Sequence, residues 1–421
     1  MSQSITVGEA HVVSPLRKFL GFALTLGATL GTFGFFAVQG VLLARMLGPD
    51  QRGVFAAAVM FPQLLLYLGL LGAPELFAGY AAAGLPDVEL RRSAARYGLV
   101  SGCLTTLACV LLNFLTIPAE MASKVMPLAI LCALTMPVQQ IRLAVQAVDH
   151  GQRNLTRYNQ VRLVAAAIFP ALLCLAFSLG YHSLNTACAL FVLAQVLSLS
   201  LAQLGMEASW LGKSAVPVPR ALREAKGLMG AWFATELLER LDLVLVMILV
   251  ASESELGFYA AAVPAASLMI VVPNAAGIYV FNRGARREER LTVVDAWRYL
   301  TLGVVVQFAC AAVLAVALPI MITTFYGEQF TPTIRFAWLL LPAGVFRGLL
   351  QACDSYLRAR KNPGLGVRAR AISIPILLAF SFGAGPWLGA SAIPIGLSIA
   401  QCVCFMIVAR GVIQDAQRPD V

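Results

Sequence analysis

Apolar runs recur from residue 17 to residue 411 with only short polar interruptions between them. Crossing a bilayer takes roughly 20 apolar residues in a helix, and an unpaired backbone group in lipid is too costly for irregular structure. On that criterion the runs predict helices near 17–44, 54–80, 94–117, 123–148, 160–180, 184–210, 227–250, 256–282, 295–320, 333–356, 368–387 and 389–411. The expected fold class is therefore an all-α integral membrane protein with about twelve transmembrane helices.

The polar and small residues that interrupt these runs repeat. Gly53-Val54-Phe55-Ala56-Ala57-Ala58-Val59 opens helix two, and Gly257-Phe258-Tyr259-Ala260-Ala261-Ala262-Val263 opens helix eight, 204 positions later. Pro137, Arg142, Gln146, Ala147 and Asp149 in helix four recur as Pro342, Arg347, Gln351, Ala352 and Asp354 in helix ten, 205 positions later, and Pro170 and Pro375 keep that register. Such self-similarity predicts a duplication. Residues 1–215 would form one six-helix lobe and residues 216–421 a pseudo-symmetric second one. An even helix count gives both lobes one orientation about an axis along the membrane normal, with a central cavity between them.

Composition agrees. The 421 residues are 59% hydrophobic and 12% charged, with a mean hydropathy of +0.80, outside the range of soluble domains. The net charge of +10 is distributed by membrane side and forms no basic face, which argues against nucleic acid as a partner. Of 31 lysines and arginines, 24 fall in segments on one side, 4 (Arg45, Arg52, Lys124 and Arg335) in loops on the other, and Arg142, Arg240 and Arg347 within helices. Because basic residues stay on the cytoplasmic side, both termini are expected there. Glu9 and the lack of a basic start argue against a removable signal peptide, so helix one should remain as an anchor.

Several chemistries lack material. The nine cysteines lie in apolar segments without zinc or redox spacing, there are three histidines, and no GxxxxGK[ST] loop occurs. No catalytic residue, metal site or cofactor is predicted, and any energy source would be ionic or external. Asn154-Leu155-Thr156 falls in an expected cytoplasmic loop and reads as an accidental sequon. Prolines inside helices, Pro62, Pro264 and Pro342 among them, shape either hinges or static kinks.

In the repeated motif, Arg, Gln at i+4 and Asp at i+7 share one helix face, with the arginine roughly 10 Å deeper than the aspartate. An arginine at mid-membrane costs roughly 2.5–3.5 kcal/mol on insertion scales. Arg142 and Arg347 are thus candidates for a pyrophosphate grip, their planar guanidinium forks suiting a phosphate; snorkelling, or pairing with a carboxylate, is the alternative. Gln39, Gln146, Gln195 and Gln351 are candidate polar groups of the cavity wall. Glu236, Glu239, Arg240 and Asp242 crowd helix seven, either as a proton- or sodium-coupling group or as counter-ions for Arg142 and Arg347. Glu75 and Glu207 should lie near the cytoplasmic headgroups.

Ala44-Arg45, Leu47-Gly48-Pro49 and Gly53-Val54-Phe55 resemble the signature after the first helix of bacterial polysaccharide flippases of the O-antigen exporter type. Asp242 followed by Leu256-Gly257-Phe258-Tyr259-Ala260, the Phe325-Tyr326-Gly327-Glu328-Gln329-Phe330 segment and the stretch from Gln146 to Asn159 are similar to the same pattern. The resemblance spans nearly the whole chain and implies the multidrug, oligosaccharidyl-lipid and polysaccharide exporter superfamily. It implies two lobes around a basic cavity, and movement of an undecaprenyl-pyrophosphate-linked oligosaccharide across a bacterial inner membrane for O-antigen, capsule or exopolysaccharide synthesis. Its implied partners are that lipid-linked substrate, membrane lipids, and polymerase and glycosyltransferase machinery. Two extra helices that many members carry are absent here. A cation-coupled multidrug exporter of the same superfamily is the first alternative, although residues 19–44 lack the carboxylate those exporters usually carry. A glycan polymerase or ligase and a membrane scaffold are others.

Overall fold

The computed structural model describes residues 15–152, 154–203, 212–226, 229–250, 252–270, 273, 292–360 and 364–417. Among them there are helices and no strand. Helix α1 (Pro15–Gly69) carries the first two expected spans as two arms, broken at Gly48 (φ 67°, ψ 177°). Only glycine adopts that backbone without strain, and Pro49 then supplies no N–H to carry the ladder across. A second break at Leu71 and Gly72 leads into α2 (Ala73–Ala82). Then follow α3 (Asp87–Thr116), α4 (Ala119–Ala133), α5 (Met136–Gly151), α6 (Leu155–Ser178) and α7 (Leu184–Ala202). The short α8 (Val218–Lys226) precedes α9 (Met229–Val250), α10 (Glu253–Ser267), α11 (Val293–Tyr326), α12 (Thr333–Ala359), α13 (Gly364–Leu388) and α14 (Ala392–Gln417).

The fold is the expected one, two pseudo-symmetric six-helix lobes around a central cavity, but the element boundaries differ. The run expected as one helix over 123–148 is divided between α4 and α5, because Pro137 has no N–H and is accommodated in the first turn of a new helix. Among the described residues, eight stretches are long and apolar enough to cross a membrane; Gly27–Ala82 and Gly364–Gln417, at 56 and 54 residues, each hold two crossings. Helix α9 has the length of a span at 22 residues, yet Glu236, Glu239, Arg240 and Asp242 lower its apolar character. The end of the expected span 184–210, the second half of 256–282 and the basic positions 283–290 lie outside the described residues, as does Glu207. Leu107, Val313 and Val316, 68–77% exposed, lie on outward faces, as suits a surface covered by lipid.

Small residues set how closely helices approach. A Cβ on Gly98 would lie 2.6 Å from the Ile141 Cα, and one on Gly102 would lie 2.3 Å from the Pro137 Cα, so this G-x-x-x-G face seats α5 directly on α3. Gly344 and Gly348 do the same for α12, against the backbone oxygens of Ala266 and Met269. The duplicated glycines of the sequence meet each other. A Cβ on Gly53 would stand 1.8 Å from the Glu253 carbonyl oxygen, and one on Gly257 would stand 2.0 Å from that of Pro49.

Around this junction the halves are tied at what we term the Gly48 end. Arg45 donates from Nε and Nη2 to the carbonyls of Phe325 and Thr324, 2.6 Å each, at the negative end of the α11 dipole. Lys124 pairs with Glu253 at 2.8 Å, and Gln329 lies beside Gly48. At the opposite end, the segment leading to α8 is held to the first half by Val216 N–H to Ser93 Oγ (3.0 Å), Ala215 N–H to Glu89 O (3.2 Å) and a Tyr80–Glu224 hydrogen bond.

Gly257→Val should wedge the Gly48 end apart, since overpacking a closed contact costs about 1–3 kcal/mol. With Val54→Cys as reporter in a cysteine-free background, a position 1% exposed in the native junction, labelling by a membrane-impermeant maleimide should accelerate about tenfold. An unchanged labelling rate would show that the glycine contact is not what closes this end.

Candidate functional site

Helix α5 presents its motif over two turns. Gln140 anchors the buried side by accepting from Ser101 Oγ (2.7 Å) and donating to Thr105 Oγ1 (3.0 Å), which fixes the rotation of α5 on α3. Six residues further, Gln146 is buried and donates to the Tyr158 carbonyl at 3.1 Å. Asp149, 2% exposed, accepts from Arg91 of α3 at 2.7 Å and faces Arg157 of α6 at 3.6 Å. That carboxylate is a clasp joining three helices.

Arg142 stands between these fixed points and differs from them. It is half-buried, its Nε is enclosed without a partner, and it makes no hydrogen bond or ion pair. Its electrostatic neighbour is the Tyr67 side chain, which also lies within range of Arg240, Glu236 and Tyr158. Tyr67 thus links the face of Arg142 to the charged face of α9 in the other half. Nearby on α6, Arg162 donates to Thr29 Oγ1 at 2.7 Å with its guanidinium 5.8 Å from the Tyr158 ring centroid.

The second half uses the same motif otherwise. Arg347 is bound by Glu239 of α9, and Asp354 by Arg370 of α13. Arg240 pairs with Glu236 at 2.9 Å, one turn apart on α9. Asp242, 4% exposed, accepts from the Tyr259 hydroxyl at 2.7 Å and from the Leu243 N–H at 2.9 Å. Three carboxylates of α9 are thereby met by two arginines and a phenol, so the counter-ion arrangement weighed from sequence is formed for Arg347 and absent for Arg142. Gln39, Gln195 and Gln351 are half-buried, and no hydrogen bond joins their side chains to either arginine. Glu75 is exposed in the first turn of α2. A groove of about 660 Å³ between α11 and α14, lined by Trp297, Leu300, Phe405, Met406 and Arg410, contains none of the motif residues.

Sequence reasoning singled out the arginines and acids but missed Tyr67, Tyr259, Arg91 and Arg370. Tyr259 carries a local signal, since it lies inside the repeated segment that opens at Gly257. Arg91 and Arg370 sit in sequence among the basic residues near helix ends, whereas both reach back to the motif aspartates.

Among the described residues of this helical membrane fold, the carboxylates of α9 and the motif aspartates are met by arginines or a tyrosine, whereas Arg142 has no acid partner. Comparison with solved structures bears on the fold. The chain is similar to the lipid II flippase MurJ in an inward closed conformation (TM-score 0.75, 14% identity, covering 94% of this chain and 89% of that one). It is also similar to an inward-facing multidrug resistance MATE family transporter of the MOP superfamily (TM-score 0.73, 12% identity, covering 94% and 99%). An outward-facing transporter of that description gives a TM-score of 0.63 at 12% identity, covering 96% and 97%. No protein-family model matches the chain, and no curated protein matches it in sequence. The fold is that of these transporters.

The Asp354–Arg370 pair is nearly enclosed, at 13% and 8% side-chain exposure. Asp354→Leu should lower stability by about 3–5 kcal/mol by stranding a buried guanidinium, while Asp354→Leu with Arg370→Leu should recover most of the loss. Thermal unfolding in detergent reads the difference; equal melting temperatures for the single and double variants would refute it.

Proposed function

We propose that the chain is a flippase that moves an undecaprenyl-pyrophosphate-linked oligosaccharide from the cytoplasmic to the periplasmic leaflet of a bacterial inner membrane, for O-antigen, capsule or exopolysaccharide synthesis. The observation that carries the reading is Arg142, a guanidinium within the membrane fold that no carboxylate neutralises. A charge left so in a low-dielectric site is costly, and a phosphate-bearing head group would supply the missing partner. The preponderance of basic residues on the side of Arg91, Arg157 and Arg220 supports a reading in which that side faces the cytoplasm and the Gly48 end the periplasm. With the Gly48 end closed, the head group enters from the cytoplasm, its isoprenoid tail remaining in lipid. The lobes, divided near residue 215, then rock about the glycine junction to release it outward.

Arg347 enters this scheme differently from Arg142. Glu239 already holds it, so a phosphate must displace a carboxylate to reach it. That makes Arg142 the primary grip and Arg347 a secondary one. The similarity to a lipid II flippase supports a lipid-linked cargo. A second reading, cation-coupled multidrug export, draws on Asp242, a buried carboxylate with a tyrosine partner and no ion pair, and on the similarity to MATE transporters.

Arg142→Ala alone should abolish flipping while leaving membrane levels normal, Arg142→Lys should retain a part, and Arg347→Ala should weaken flipping less. Reconstituted vesicles containing lipid-linked oligosaccharide, with the head group assayed by impermeant periodate, measure this. Full flipping by Arg142→Ala would end the anion-grip reading, and drug sensitivity of a deletion strain without cytoplasmic accumulation of the lipid-linked glycan would favour the multidrug alternative.

A further inference from the structure

Arg142 is not alone in lacking an acid. Arg52, one residue before the junction glycine, is 8% exposed, its Nε is buried without a partner, and it makes no hydrogen bond or ion pair. Its surroundings come from both halves. The guanidinium lies 5.8 Å from the Phe55 ring centroid on its own arm, and its electrostatic neighbour across the junction is Tyr326, whose hydroxyl reaches the backbone of α1 at Gly40. The nearby acid Glu253 is occupied by Lys124, and the nearby cation Arg45 is occupied by carbonyl oxygens. The closed junction therefore shuts in a cation whose neighbours offer it aromatic faces in place of a carboxylate. Burying a charge without a counter-ion is strongly unfavourable, and in a membrane protein such a residue faces a pathway more often than lipid.

The same arm of α1 connects Arg52 to the site already described. Tyr67, the neighbour of Arg142, lies fifteen residues further along it, roughly 22 Å at the rise of an α-helix. At about 100° per residue, Gln63 falls within roughly 20° of the Arg52 direction and Tyr67 within roughly 60°. Gln63 is half-buried and its amide has no hydrogen-bond partner. One helix thus carries a polar stripe from the free arginine at the Gly48 end to the neighbourhood of the free arginine deeper in the fold.

We propose that Arg52 is a second anion station, which binds the phosphate-bearing head group once the lobes part at the Gly48 end. The closed junction buries this charge at a cost, and the arriving anion repays it, so opening and phosphate binding favour each other at that end. The proposal rests on the flippase reading, and it adds a residue and a step to it: cargo leaves Arg142, passes Gln63, and is held at Arg52 before release.

The test uses inorganic pyrophosphate as probe and the full-length protein in nanodiscs. Wild type should bind one equivalent, which Arg142→Ala removes. Gly257→Val, which opens the Gly48 end, should gain a further equivalent that Arg52→Gln removes and Arg52→Lys keeps. Bridging Lys124→Cys and Glu253→Cys with a short bismaleimide should prevent that gain. If Gly257→Val binds the same amount of pyrophosphate with and without Arg52→Gln, the station is refuted. If Gly257→Val fails to assemble, flipping decides. Arg52→Gln in the native background should slow turnover about tenfold, as expected for one lost charge-assisted contact, leave head-group affinity from the cytoplasmic side unchanged, and be rescued by Arg52→Lys. Native turnover in Arg52→Gln overturns the proposal while leaving Arg142 untouched; undiminished pyrophosphate binding by Arg142→Ala overturns the flippase grip instead.

Discussion

A charge placed within a bilayer must find an opposite charge, a dipole or water, and that constraint orders the interior of this protein. Glu236, Glu239, Asp149 and Asp354 each meet an arginine, and Asp242 meets a tyrosine hydroxyl. Most of these contacts bind helices together within one half: Asp149 joins α3, α5 and α6, and Glu239 joins α9 to α12. They act alongside close packing, because helix–helix association in lipid draws little on the hydrophobic effect and rests on packing and polar contacts instead. Once the pairs are formed, the arginines left over acquire meaning by contrast.

Duplication supplies the geometry and divergence supplies the chemistry. Arg142 and Arg347 occupy the same place in the repeat, and each motif aspartate is held by an arginine from the helix that follows or packs beside it. The two halves part company at Glu239, which neutralises Arg347, and no acid plays that role toward Arg142. A symmetric scaffold thereby carries an asymmetric pairing: Glu239 stands against Arg347, and none of the described carboxylates pairs with Arg142.

The helical membrane-spanning character and the repeat were legible in the sequence because hydropathy and a 205-residue register are one-dimensional signals. The division of helix four into α4 and α5 was foreshadowed by Pro137 but read as a kink within one span. What could not be read was partnership. Arg370 and Arg91 carry the same letter as the loop arginines around them, and nothing in their spacing tells that each reaches a motif aspartate. Likewise Glu239 could have served Arg142 or Arg347, and only the placement of α9 against α12 decides between them. Gly53 and Gly257 were visible as a repeat, yet that the copies touch each other is a property of the pseudo-symmetry and of the closed conformation together.

That contact also constrains how the molecule can move. Backbone against backbone at a repeated glycine leaves no side chain to rearrange, so the lobes can part at the Gly48 end only as bodies, with Arg45 leaving the α11 carbonyls and Lys124 leaving Glu253 in the same motion. Lys124 is 60% exposed, so its ion pair is worth little, on the order of 0–1 kcal/mol, and is readily exchanged for water. The carbonyls released by Arg45 can be hydrated in the same way. The closed state is therefore held by close fit and weak polar ties, with the buried charge of Arg52 working against it. The proposed cycle needs only a junction held this weakly, since a ligand that binds the open state better shifts the population toward it.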